Sequence, residues 1–491
     1  MFEKAEGQAV PAVSFFDPAL KEVRRRAFYQ WSRTGMSKYR TRIFFRVMWT
    51  ENLIQADILL VSILCVFVLA VLSIFWGMQY STESKLTELK VWVVDFDGQT
   101  DDYRTSTPVV GPAVISTAQE YINSPDLHLG YMIQNASTFD NDPWAVRQAV
   151  YDEHAYAAVI INPNATSLLR AAITQHNTSY DPTDVIQTII ITARDQNTYY
   201  SYILPDLTLF QNAVLASFGP QWAQTLITTT KNLTMIPPQA INPAIGFTTI
   251  DLRPFTPAVT APAVTIGLIY LIIIAFFNFP FLMPIHAQLI KPSSTNPPLK
   301  IPQWLIWRVC SNIAAYFFLS FFYSLVSLAF GIPFTNSPAP DTLPAENPNA
   351  YDRASFVVFW MLNWVGMAAL GFPCENMAMV LGFPWSSFFL IFWVITNVAT
   401  GFYAIELASV FYRWGYAWPL HRSMFTASTV CCLTSANISS LVVEALRTIL
   451  FGTHSRIGID FAVLFIWIAV SIAFFPVASS IMRWKMKRGW A

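Results

Sequence analysis

Glu375 and Glu406 fall in or near long apolar stretches, with Asn376 and Asn397 close by, and Arg413 sits in the aromatic run FYRWGYAWP. An ionisable residue at bilayer depth costs about 2.5–3.5 kcal/mol, so it normally faces a bundle interior or water, where it can carry a proton, a cation or a polar solute. The same groups also have a structural use, hydrogen bonding between helices. Glu375 lies near one end of its stretch and Glu406 near the opposite end of the next, which argues against a shared carboxylate pair. Arg308, Asn312 and Asn363 are further polar groups in apolar surroundings. Arg308 is close to a helix end, where its long stem is expected to snorkel to water. Arg413 suits an interfacial aromatic belt, or it can hold a lipid phosphate among its Tyr and Trp neighbours. Asp95 and Asp97 close a β-branched run. With no third acid or histidine at a supporting spacing, they read as a strand-end turn cap rather than a metal site.

Other chemistries lack their residues. There is no G-x-x-x-x-G-K-[ST], so the chain is expected not to energise transport with ATP alone. HExxH and GxSxG are absent and the six histidines are scattered, so no enzyme site, metal or cofactor is expected. The five cysteines show no zinc or redox spacing, and Cys431–Cys432 are vicinal, which suits neither a chelate nor an ordinary bridge.

The elements that must position these residues are membrane helices. Of 491 residues, 54% are hydrophobic and only 12% charged, about half the charge of a soluble domain. Six apolar stretches reach the roughly 20 residues a span requires: 58–78, 259–281, 305–331, 354–380, 386–411 and 461–482. The expected organisation is a basic cytosolic segment over 1–56, a first span over 57–79, an extracytosolic α/β domain over 80–258, a five-helix membrane domain over 259–482 and a basic cytosolic tail over 483–491. Ten Lys/Arg in residues 1–56, four in the tail, and Lys291 and Lys300 set this orientation by the positive-inside rule. Five N-x-[ST] sequons, at Asn135, Asn164, Asn177, Asn232 and Asn437, all fall in segments expected outside the cytosol, where surface glycans are expected. The outer segment carries about twice as many acids as bases, so it is expected to seek neither nucleic acid nor anionic lipid. Its expected strands are 89–96, 156–161 and 186–193, with helical stretches around 117–121 and 207–228.

Five blocks carry a family resemblance: VWVVDFDG, AYAAVIINPNAT, DLRPFTP followed by IGLIYLIII, FYRWGYAWP, and VVEALRTILFGTHSRIGIDFAVL. In this order they resemble the fungal nitrosoguanidine-resistance protein family (DUF3533), related to ABC-2-type membrane proteins. The resemblance implies one helix, a large external domain and a bundle of about five helices. It also implies a plasma-membrane or endomembrane location in a fungus and a link to drug resistance or lipid organisation. The expected function is a transporter-like protein, lipid-embedded and acting as a homodimer or with a partner membrane protein. The alternative is a non-transporting lipid organiser or sensor. Residues 422–441, rich in Ser, Thr, Ala and Cys, separate two family blocks. They are either an insertion in an outer loop, where length costs little closure entropy, or a translated intron. The helix after them, 441–451, is expected to sit half-embedded.

Overall fold

A computed structural model describes residues 51–100, 103, 107–229, 233–265, 267–289, 299–382, 384–419 and 442–488. The basic segment before residue 51, Lys291, Asn232, Asn437 and the 422–441 segment lie outside the described residues. Chain contacts divide the protein into a unit up to Ala70 and a unit from Val71 onward. Helix α1 (Glu51–Gln79) runs across that division. In the first unit its apolar residues Ile58, Leu60, Val66 and Leu69 are exposed, as a lipid-facing span requires.

In the second unit, β1 (Lys90–Asp95), α2 (Val110–Asn123), β2 (Gly130–Asn135), α3 (Pro143–Tyr151), β3 (Ala157–Ile161), α4 (Ala165–Thr174), β4 (Ile186–Ile190), α5 (Leu204–Thr229) and β5 (Phe247–Asp251) follow one another. The five strands form one sheet in the order β2-β1-β3-β4-β5. β1 pairs parallel with β2 and β3, β3 antiparallel with β4, and β4 parallel with β5. Val93 lies opposite both Ile133 and Val159, which fixes the register. Both faces are covered. Val91, Val93, Val159 and Ile186 pack with Val114 of α2, Leu169 of α4 and Phe210 of α5. Val94, Ala158, Ile160 and Ile189 pack with Val146 and Val150 of α3. Burial on both faces explains why β3 reads AAVII, an unbroken apolar run with no alternation. The edge strands β2 and β5 escape the sequence reading because their GYMIQN and FTTID are polar and only partly buried.

Helices α6 (Gly267–Gln288), α7 (Ile301–Ala329), α8 (Ser355–Leu381), α9 (Ser386–Gly401), α10 (Val442–Phe451) and α11 (Ile457–Lys487) follow. Together with α1, the stretches around α6, α7, α8 and α11 give five helices long and apolar enough to cross a membrane. α8 is the hub and packs against α6, α7, α9, α10 and α11. Its small residues Gly366, Ala368, Ala369 and Gly371 are buried and permit close helix approach. Gly371 is required: a Cβ there would stand 2.4 Å from the Tyr316 hydroxyl.

Two expectations are corrected here. The span expected over 386–411 is a 16-residue helix, α9. At 1.5 Å per residue this is about 24 Å, short of the ~30 Å hydrocarbon core. After Gly401 the chain leaves the helix axis because the sheet layer holds it. Asn197 donates to the Phe402 carbonyl at 2.8 Å, and the Ala404 amide donates to Thr198 Oγ1 at 3.1 Å. The helix expected half-embedded is fully buried, all ten residues of α10 included. Arg447 explains this. Its guanidinium donates to the Arg194 carbonyl and, at 2.9 Å, to Gln196 Oε1, so α10 is held between bundle and sheet layer.

Gly130 opens β2, and a Cβ there would stand 2.1 Å from the Thr87 carbonyl. Gly130→Ala is expected to destabilise by about 1–3 kcal/mol, the usual cost of forcing a shift in a packed region. Thermal melting of the purified chain in detergent reads it, and an unchanged melt contradicts the close approach of Gly130 to the Thr87 carbonyl.

Candidate functional site: a polar seam in the helical bundle

Helix α7 is apolar by composition, yet its buried residues are Trp304, Arg308, Asn312, Tyr316, Ser320 and Ser324. They recur every fourth position, so they share one slowly winding face. Ile306, Trp307, Phe318, Phe322 and Val326 are exposed. The helix therefore turns its polar stripe inward. From Trp304 to Ser324 the stripe runs about 30 Å, the thickness of the hydrocarbon core.

Glu375 of α8 is the centre of the arrangement. Arg308 Nε donates to Glu375 Oε1 at 2.6 Å, and Asn312 Nδ2 donates to Glu375 Oε2. Asn278 of α6 donates to Asn312 Oδ1 at 3.1 Å. Arg308 and Glu375 are buried, at 0% and 1% side-chain exposure. The Arg308 guanidinium lies 5.1 Å from the Phe279 ring centre and 5.8 Å from that of Trp304. Toward the other end, Asn363 of α8 donates to Ser324 Oγ at 3.0 Å. Asn376 donates to the Ser471 carbonyl of α11 at 2.8 Å, which extends the polar contacts across α8.

The expectation that Arg308 snorkels is thus overturned. Neighbouring helices cover it completely, and Glu375 meets its charge. Asn278 escaped the sequence reading because one Asn in a run of Ile and Phe carries no spacing signal. The i+4 series in α7 was such a signal, hidden because Trp and Tyr score as apolar. Glu406 has separate partners: Tyr156 of the sheet layer donates to its Oε2 at 3.2 Å. Asn397 makes a local bond to the Trp393 carbonyl at 2.8 Å. Arg413 is exposed. Asp97 is a buried knot that accepts from the amides of Gly111 and Thr166 and from the Thr166 hydroxyl. Asp95 accepts from the Asp97 amide at 2.9 Å, and burial pushes its carboxyl up to about 6. Both aspartates therefore cap the strand end. Of the described sequon asparagines, Asn135 and Asn177 are exposed and Asn164 is half-buried.

Two outcomes follow from this geometry. Glu375→Leu leaves the Arg308 charge buried without its partner, a loss on the order of 3–5 kcal/mol. Glu375→Gln should cost less, and Arg308→Met combined with Glu375→Leu should recover much of the loss. Melting temperatures of the four proteins check this, and a double variant no better than Glu375→Leu alone contradicts a coupled pair. At Glu406, burial is the largest influence and pushes the carboxyl from 4.5 up to about 7. The folded state therefore favours the protonated form. This contribution is full below about pH 4.5 and is lost as the pH rises through about 7. Glu406→Gln should flatten that part of the stability–pH profile, and an unchanged profile rules the group out.

Residues 60–438 match the family model described as "Protein of unknown function (DUF3533)". The chain is 27% identical over 452 residues to the uncharacterized endoplasmic reticulum membrane protein YJR015W of Saccharomyces cerevisiae, covering 87% of this chain and 80% of that protein. No solved structure matches. The chain is thus a multi-pass membrane protein and a member of the DUF3533 family.

Proposed function

We propose that this protein is transporter-like, moving or excluding small toxic molecules without an ATPase of its own. The polar stripe of α7 carries this reading. A helix that buries Arg, Asn and Ser across a bilayer thickness keeps inside the bundle polar groups that a solute or headgroup would meet once the helices part. The resemblance to nitrosoguanidine-resistance proteins and to ABC-2-type membrane proteins points the same way. The yeast relative's name supports an endoplasmic reticulum membrane as the location, with the sheet layer and its sequons in the lumen; both termini are cytosolic if the 16-residue α9 completes a sixth crossing. The exposed Phe318, Phe322 and Val326 of α7 offer a face to lipid, a second copy or a partner membrane protein.

A second reading keeps the protein as a non-transporting membrane organiser. Both oxygens of Glu375 are occupied, by Arg308 and Asn312, which is also how a structural clasp looks. Reconstitution separates the two. Purified protein in liposomes should move a fluorescent lipid analogue or drug faster than protein-free liposomes, and Asn312→Leu should reduce that rate at least tenfold while the protein still inserts. Wild-type protein that moves neither probe supports the organiser instead.

A further inference from the structure

A second place in the molecule has the chemistry of a ligand site. The chain leaves β1 for β2 on one side, then crosses to β3 on the other. α2 covers one face of the sheet and α3 the opposite face. α4, which follows β3, lies on the same face as α2. The carboxyl ends of the parallel neighbours β1 and β3 lie side by side, next to the face that α3 covers. A cavity of about 280 Å3 lies there, lined by Tyr103 after β1, Asn162, Pro163 and Asn164 after β3, Trp144 and Arg147 of α3, and Gln187 of β4.

Its hydrogen-bond inventory is one-sided. Arg147 Nη2 donates to Gln187 Oε1 at 2.6 Å, Gln187 Nε2 to Asn162 Oδ1 at 2.8 Å, and Asn162 Nδ2 to the Asp184 carbonyl at 2.6 Å. The two amides thus occupy their oxygens within the chain, and each keeps an N–H to spare. Arg147 Nη1 lies 3.5 Å from the Thr342 carbonyl, so among the described residues only two of its five N–H groups have protein partners. Arg147 is 8% exposed. Arg194, Arg253 and Arg308 each have a carboxylate within 4.0 Å, whereas Arg147 has none among the described residues. The two nearest acids in sequence are engaged elsewhere, Asp142 with the Trp144 amide at the start of α3 and Asp152 with Gln148 and His454. A buried cation without a counter-ion among the described residues is costly, and Gln187 and Asn162 beside it each keep an N–H to offer. The Arg147 guanidinium also lies 4.3 Å from the centre of the half-exposed Trp144 ring, an aromatic wall beside the charge.

We propose that this cavity binds a small organic oxyanion, a carboxylate or phosphate, with Arg147 as its counter-ion and Gln187 and Asn162 as donors. The volume lies below the roughly 300–1,000 Å3 of drug-sized pockets, so the ligand is small or is the head of a larger molecule. The oxyanion comes from a soluble acid or from a phospholipid headgroup, and the test distinguishes them. Thermal shift of the full chain in detergent is measured with inorganic phosphate and with succinate against chloride of matched ionic strength. The same chain is then melted in nanodiscs of phosphatidylcholine with and without phosphatidic acid. A saturable stabilisation by phosphate or succinate is expected for a soluble ligand. Stabilisation by phosphatidic acid alone assigns the headgroup. Arg147→Leu should remove either shift. Gln187→Glu places a carboxylate beside the guanidinium, so it should raise the ligand-free melting temperature and abolish the shift. No shift beyond chloride and no response to phosphatidic acid, or equal shifts in wild type and Gln187→Glu, overturns the proposal.

Discussion

The bundle depends on one requirement: a carboxylate enclosed by membrane helices must find its partners inside the protein. Glu375 meets it with Arg308 and Asn312 of α7, and Asn278 of α6 completes the group. Three helices are fixed in rotation at once, because slipping any of them would leave a charge or amide unmet. Apolar packing alone gives little such specificity in lipid, where tails are as apolar as Leu. This is why α8, packed on five neighbours, can rely on small residues: the polar group sets its rotation and Gly371 allows close approach.

The sheet layer is joined to the bundle by arginines. Arg253, just past β5, donates to the carbonyls of Gly452, Leu343, Ala339 and Pro340. Arg447 reaches from α10 to the residues after β4. Glu153, at the end of α3, lies within ion-pairing distance of Arg194 and Arg456. Guanidinium suits such joints because its five donors satisfy several carbonyls together. The result is a buried polar interface in place of an oily one.

Much of this was legible beforehand. Long apolar runs showed four of the later spans and the first, and the β-branched runs at 89–96, 156–161 and 186–193 showed the three inner strands. Length alone misjudged 386–411, since apolarity continues after Gly401 while hydrogen bonds to Asn197 and Thr198 draw the backbone away. Edge strands β2 and β5 were silent because half-buried strands need no strong pattern. Glu375 stood out as a carboxylate in an apolar run, but its partners did not. Asn278 lies about a hundred residues upstream, and nothing local ties it to Glu375. Arg147 was invisible for the same reason, since its isolation from acids is a property of the folded chain.

The segment between α7 and α8 has one more consequence. Arg147 touches it at Thr342, Arg253 holds it at Ala339, Pro340 and Leu343, and its two ends are the helices that carry Arg308 and Glu375. It is a tether with both anchors in the bundle and its middle gripped by the sheet layer. The cavity at Arg147 and the ion pair of Arg308 with Glu375 thus share one connecting segment, which makes it the shortest covalent route between them.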